Sequence, residues 1–185
     1  MSEVVLLNSG GIDSRVSAAI LANIGWDIHS LFLDWNPASL PGMSLASAET
    51  ASLYCVDHTV FEYTLDLTVW LPTLRKKAMP FTSMTSTVIG AQFAYSKGIS
   101  YVANGSRREC NRDPEWVRKL SEVINGNSFI EDGINLIFPV LDMTNDEVTA
   151  RGRELGVDLE STWSCPNDPP CGQCESCVRR EEQGL

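Results

Sequence analysis

Two groups of residues in this chain have types and spacings that can do chemistry. The first is Ser9-Gly10-Gly11-Ile12-Asp13-Ser14, directly after the apolar run Val4–Leu7 and directly before a helical pattern. A buried strand that ends in paired glycines and flows into a helix makes a nest for an anion. Gly10 and Gly11 can take φ > 0, which turns backbone N–H groups inward, and the helix offers its positive N-terminus to the same anion. Ser9 and Ser14 add hydroxyl donors, and Asp13 can hold a magnesium ion against phosphate oxygens. The competing reading is a plain strand–turn–helix corner in which Asp13 or Ser14 caps the helix. The string is neither a Walker loop, which needs G-x-x-x-x-G-K-[ST], nor the dinucleotide fingerprint G-x-G-x-x-G.

The second group is Cys165-x5-Cys171-x2-Cys174-x2-Cys177, four thiols within 13 residues. Four soft ligands at this density suit a tetrahedral Zn2+ ion in a closed, structural site that leaves no position open for substrate. Pro166, Pro169 and Pro170 restrict the first loop, and Gly172 allows a tight turn between ligands. An iron–sulfur cluster is the rival, because Cys-x2-Cys-x2-Cys overlaps such spacings. Cys55 and Cys110 are left over, the first read as a small buried residue and the second as part of a polar, substrate-facing segment. His29 and His58, the only two histidines, lie in no recognisable catalytic context and are read as structural.

The elements that position these groups alternate along the chain. Val4–Leu7, Ile28–Leu33, Thr59–Tyr63, Tyr101–Asn104 and Leu136–Val140 read as strands. Arg15–Ile24, Leu45–Tyr54, Thr82–Lys97, Asp113–Val123 and Asn145–Leu155 read as helices, the last capped by Asn145 and stopped by Gly156. Residues 35–44 read as a loop, and Val69–Pro80 is ambiguous between loop and short helix. Strands alternating with helices imply a doubly wound parallel sheet covered on both faces, with ligands bound outside the carboxyl ends of the strands.

With 185 residues, 43% of them hydrophobic, the chain can bury one good core. It reads as a single domain, 1–185, with 160–185 a metal-stapled tail. The net charge of −10, from 14 basic and 24 acidic residues, argues against a nucleic-acid surface. A local basic patch of Arg107, Arg108, Arg112, Arg118 and Lys119 remains open, against a solvated loop and helix face. No apolar stretch approaches the roughly 20 residues needed to span a bilayer, and no basic leader precedes the first strand. The chain reads as cytoplasmic, with its cysteines serving a metal rather than disulfides.

The loop string resembles the S-G-G-x-D-S pyrophosphate loop of the ATP pyrophosphatases, the adenine-nucleotide α-hydrolase type of fold. Such enzymes cut ATP between its α and β phosphates, place AMP on an oxygen and release pyrophosphate. Together with Pro139-Val140-Leu141-Asp142, Leu155-Gly156-Val157-Asp158, Thr162-Trp163-Ser164-Cys165 and C-G-x-C-x-x-C, it looks like the 7-cyano-7-deazaguanine synthase family. That resemblance implies an ATP-dependent carbon–nitrogen ligase that adenylates 7-carboxy-7-deazaguanine and captures the adenylate with ammonia, giving an amide and then a nitrile. It further implies ATP, Mg2+ and Zn2+ as cofactors and a homodimer. By the same resemblance Ser9, Asp13 and Ser14 are catalytic, and Gly10, Gly11, Ile12 and Leu33 join them in binding the nucleotide. Cys165, Cys171, Cys174 and Cys177 would hold the metal.

The middle of the chain departs from this pattern. Asp34-Trp35-Asn36-Pro37-Ala38-Ser39 stands where the family has D-Y-G-Q and basic residues, and Met79-Pro80-Phe81-Thr82-Ser83 stands for V-P-A-R-N. The segment Gly105–Asp113 replaces D-x-S-G-Y-P-D-C. These departures admit a different acceptor: relatives in anti-phage systems join a deazaguanine acid to a partner-protein amine. Arg107, Arg108 and Glu109 would then meet substrate or partner, and Trp35 and Phe81 offer rings for stacking. A tRNA-thiolating adenylating enzyme and a non-catalytic nucleotide-binding module are the further alternatives.

Overall fold

The computed structural model describes residues 2–34, 41–62, 82–107, 114–126, 133–165 and 167–185. Its centre is a five-stranded parallel sheet of β1 (Glu3–Leu7), β2 (Asp27–Asp34), β3 (Asp57–Glu62), β4 (Tyr101–Asn104) and β5 (Asn135–Ile137), in the order β3-β2-β1-β4-β5. Helices α1 (Ile12–Asn23), α2 (Pro41–Tyr54), α3 (Thr82–Lys97), α4 (Pro114–Gly126), α5 (Asn145–Glu154) and α6 (Glu175–Glu182) complete the fold. This is the expected doubly wound parallel sheet, with a four-cysteine tail.

The β1 side chains show why the sheet is covered on both faces. Val5 and Leu7 pack in one cluster with Ala91 and Ala94 of α3, and Val4 and Leu6 pack in another with Ala18 and Leu21 of α1. Successive side chains point to opposite faces, so an uninterrupted apolar run requires cover on each side. A third cluster joins Val16 and Ala19 of α1 to Val148 of α5 and to Val157 and Leu159. It fastens the start of the tail to the helix that follows the glycine loop. No helix among the described residues is long and apolar enough to cross a membrane.

Several boundaries differ from the sequence expectations, each for a local reason. Helix α1 starts at Ile12 rather than Arg15, with Gly11 as its N-cap and no side-chain cap, so neither Asp13 nor Ser14 caps it. Helix α2 takes in Pro41–Ser44 from the expected loop, since proline is tolerated in a first helical turn, where its missing N–H has no acceptor to lose. Thr144, not Asn145, caps α5: its hydroxyl accepts from Glu147 N–H while the Glu147 carboxylate accepts from Thr144 N–H, a capping box. β5 ends at Ile137, and Phe138–Leu141 turns instead of continuing the strand. Helix α6 went unforeseen because the cysteine spacing dominates that stretch. The ambiguous Val69–Pro80 segment, Trp35, Phe81 and Cys110 lie outside the described residues.

Candidate functional site

The chain order reverses at β1, which has β2 on one side and β4 on the other. The loop Asn8–Gly11 leaves the carboxyl end of β1 at this switch point, where open α/β sheets bind ligands. Asn8, buried, holds the loop in place. Its Nδ2 donates to Ser30 Oγ (3.0 Å) and to the Ser47 carbonyl (2.9 Å), and its Oδ1 accepts from Gly10 N–H (3.1 Å). Ser47 returns the contact, its hydroxyl donating to the Asn8 carbonyl at 3.0 Å. Sequence reasoning passed over Asn8, although a polar residue ending an apolar strand was the available signal.

Of the two glycines only Gly10 takes a positive φ, +76°, and Gly11 is extended. A Cβ on Gly10 would stand 2.6 Å from the Met43 carbonyl and 2.9 Å from Ser47 N. Gly10→Ala combines left-handed strain with a backbone clash and is expected to destabilise the protein by about 2 kcal/mol or more, measured by denaturant unfolding. Gly10 N–H is turned back to Asn8 rather than toward a ligand, which corrects the expectation that both glycines line the nest. The donors that face outward belong to the helix: the first intrahelical bond runs from Arg15 N–H to the Gly11 carbonyl at 3.1 Å. N–H groups in the turn before it have no acceptor within the helix.

Hydroxyls surround that helix end. Ser9 Oγ lies 3.3 Å from Ser14 Oγ and accepts from Gly11 N–H at 3.4 Å, while the Ser14 hydroxyl donates to the Gly11 carbonyl at 2.9 Å. Asp13 Oδ2 accepts from Arg107 Nε at 3.0 Å. Arg107 is 2% exposed, so this cation reaches the loop from inside the protein, beyond the end of β4. The expected basic patch is thereby divided. Arg107 is buried on Asp13, and Arg118 and Lys119 pair with Glu115 and Glu122 along the exposed face of α4. Arg108, Glu109 and Arg112 lie outside the described residues. Leu33 stands near the carboxyl end of β2 with its side chain in the sheet core, and it does not line the cleft beside the glycine loop.

The C-terminal tail closes on the same loop. Trp163 N–H donates to the Gly10 carbonyl at 2.8 Å, and its indole N–H donates to the Cys165 carbonyl at 2.8 Å. Its ring lies flush on Gly42 of α2, where a Cβ would come within 2.5 Å of the ring carbons. Beside the loop a cleft of about 230 Å³ opens between Ser9, Gly11 and Asp13 on α1 and its approach, Thr149 on α5, and Ser176 and Arg179 on α6. Tail and glycine loop therefore line one cleft.

The four tail thiols converge: the Sγ atoms of Cys165, Cys171, Cys174 and Cys177 lie within 4.8 Å of one another. Cys165 Sγ is 3.7 Å from Cys171 Sγ and 3.9 Å from Cys174 Sγ. A tetrahedral zinc with bonds of about 2.3 Å spaces its sulfurs by about 3.8 Å, so the donor set fits that metal. Backbone N–H groups of Asn167 and Cys171 donate to Cys165 Sγ, each at 3.4 Å. Backbone N–H groups of Gln173 and Cys174 hold the Cys171 thiol down to about 6, favouring the thiolate a metal needs. Cys55 is the contrast: half-buried rather than in the core, its thiol is pushed up to about 12 by burial, which disfavours the thiolate. The histidines hold the sheet together. His29 lies between Glu3 and Asp57, and His58 Nδ1 meets Ser30 Oγ at 2.9 Å.

Comparison with known proteins agrees with this arrangement. The 7-cyano-7-deazaguanine synthase of Methanothermobacter thermautotrophicus is 30% identical over 93% of this chain and 89% of its own. That of Prochlorococcus marinus (strain NATL2A) is 26% identical over 96% and 91%. Among solved structures, a 4-thiouridine synthetase in complex with RNA and bound ATP superposes with a TM-score of 0.59. It is 18% identical and is matched over 98% of this chain and 50% of that one. The NH3-dependent NAD synthetase from Campylobacter jejuni gives 0.57 at 16% identity, over 86% and 66%. At these identities the structural likeness is one of fold. Residues 71–184, which include all four cysteines, match the family model described as queuosine biosynthesis protein QueC, and with the long synthase alignments this makes the chain a member of the QueC family.

Proposed function

We propose that this chain uses ATP to adenylate the carboxylate of 7-carboxy-7-deazaguanine and that ammonia or an amine then displaces AMP. Membership of a family whose relatives are named 7-cyano-7-deazaguanine synthase supports an ATP-dependent enzyme of the ligase type. The observation that carries the reading is the serine-lined start of α1 at the sheet's switch point. In the first step a carboxylate oxygen bonds to the α-phosphorus, and the bond to the α–β bridging oxygen breaks. Pyrophosphate leaves with that electron pair. The nitrogen then attacks the acyl carbon, AMP departs, and the amine proton passes to solvent. Where ammonia is the nucleophile, a second ATP adenylates the amide oxygen with release of pyrophosphate, and loss of AMP and of both amide protons to solvent gives the nitrile.

Charge gathers on phosphate oxygens throughout, so positioning and fixed dipoles account for most of the rate enhancement. In this reading Ser9, Ser14, Gly11, Ile12 and the helix end hold the pyrophosphate portion. Asp13, kept in orientation by Arg107, would hold a magnesium ion that offsets phosphate charge. The four cysteines would hold a zinc ion that fixes the tail against the loop. Residues 1–185 act as one domain, and two copies form a homodimer.

The departures at 34–39, 79–83 and 105–113 favour a second reading, in which a partner-protein amine captures the adenylate and the reaction stops at the amide. Mass spectrometry of protein, ATP, magnesium and 7-carboxy-7-deazaguanine, with ammonia or with candidate acceptor proteins, separates the two. A nitrile with AMP and pyrophosphate supports the synthase, and a protein adduct without nitrile supports conjugation. Intact ATP in both mixtures overturns the adenylation reading. Ser9→Ala combined with Asp13→Ala is expected to lower kcat/KM by roughly 10²-fold or more, with Tm also falling because buried Arg107 loses its carboxylate partner. Unaltered turnover would place the chemistry elsewhere.

A further inference from the structure

The cleft beside the phosphate loop has a second wall announced by neither the glycine string nor the cysteine spacing. Thr149 on α5 is 3% exposed, and its Oγ1 is buried without a hydrogen-bond partner. A helical threonine commonly donates to the carbonyl one turn back, and this one does not. Gln183, directly after α6, has its Oε1 buried and unpartnered as well. Both residues line the cleft. Buried polar atoms are nearly always satisfied in folded proteins, so two orphans in one cleft point to an occupant.

A cation stands in the same wall. Arg179 Nη1 donates to Asn145 Oδ1 at 3.0 Å and Nη2 to Glu175 Oε1 at 2.6 Å, which fixes the guanidinium between α5 and α6. The Glu175 side chain is 87% exposed, so solvent screens it and the arginine's field in the cleft is only weakly offset. Arg180, next along, is a brace: its Nη donors go to Thr162 Oγ1 and to the Leu159 and Glu160 carbonyls.

We propose that this α5–α6 wall is the second half of the phosphate site, with Arg179 and the Thr149 hydroxyl contacting the pyrophosphate portion of ATP. The inference rests on the adenylation reading and names further residues for it. Arg179 faces the charge that builds on pyrophosphate as the α–β bond breaks, and Thr149 donates to a phosphate oxygen. Gln183 Oε1 accepts from a water in the hydration shell of the phosphates. Because α6 carries Cys177 and begins directly after Cys174, the metal-bound tail sets where Arg179 stands.

The test is calorimetric binding of inorganic pyrophosphate and of ATP to the metal-loaded full chain, with metal content and Tm recorded for each variant. Arg179→Ala is expected to weaken pyrophosphate binding at least tenfold, and Arg179→Lys to recover part of it. Thr149→Val, nearly isosteric, is expected to weaken binding several-fold while Tm holds or rises, since an orphan hydroxyl disappears. A purely structural role for Thr149 predicts a fall in Tm with affinity unchanged. Wild-type binding with both Arg179→Ala and Thr149→Val overturns the wall and leaves the ATP reading standing. A wild-type chain that binds neither ATP nor pyrophosphate overturns both.

Discussion

Chelation of the metal proposed for Cys165, Cys171, Cys174 and Cys177, or Cys174→Ser, is expected to lower Tm by about 10 °C and to abolish adenylation before the sheet unfolds. The magnitude follows from coupling of metal binding to folding. A structural zinc binds with about 10–16 kcal/mol in isolated modules, and here part of that is spent locally on ordering the tail. If about 4 kcal/mol reaches the global equilibrium, a chain of this size loses roughly 2–4 °C for each. The route is visible. Trp163, bonded to Gly10 and to the Cys165 carbonyl, links the cluster to the glycine loop, and Gln183 is tied to α5 through Arg153 at 2.7 Å. Thermal unfolding and ATP turnover, followed together during chelation, check this. A metal-free protein with unchanged Tm and turnover would remove the cluster from both roles.

Arg15→Met should destabilise the protein by about 3 kcal/mol, a fall of roughly 6–12 °C in Tm. The Arg15 side chain is 0% exposed, and every nitrogen is used. Nε donates to Thr50 Oγ1 at 2.8 Å, and Nη2 donates to the Ala46 carbonyl at 3.0 Å and Glu49 Oε2 at 2.9 Å. Nη1 donates to the Asp158 carbonyl at 3.0 Å and to Ser161 Oγ. One guanidinium thus ties α1 to α2 and to the turn that begins the tail. Methionine matches the volume and strands the acceptors, which is the costly half of losing a buried hydrogen bond. Glu49, partly exposed, rehydrates and keeps the cost below that of a sealed ion pair. Arg118→Ala is the contrast: its partners Glu115 and Glu122 share one solvent-exposed helix face, and Tm should stay where it is. Equal effects from the two arginines would refute the argument from burial.

Arg15 shows where the sequence became illegible. It sits one residue past the glycine string and reads as the first polar position of a helix. Its acceptors lie 31–146 residues away, on two other segments. Asn8 and the pairing of Arg107 with Asp13 were hidden for the same reason: each depends on partners that only the folded chain brings near. Thr144 was the exception, since its capping box with Glu147 is local and Thr-x-x-Glu was there to be read.

Legible from the residues alone were the parallel sheet, the turn through the glycines into α1 and the convergence of the four cysteines. Each is a short-range property: apolar runs need cover on both faces, paired glycines before a helix turn a strand sharply, and closely spaced thiols cannot separate far. Tertiary structure decided which groups face the site. The return of the tail turned Trp163 onto Gly10 and put Arg179 in the cleft, and the crossover to β4 delivered Arg107 to Asp13. Those juxtapositions depend on the packing of helices across the sheet, where contacts distant in sequence select one arrangement that local propensity leaves open.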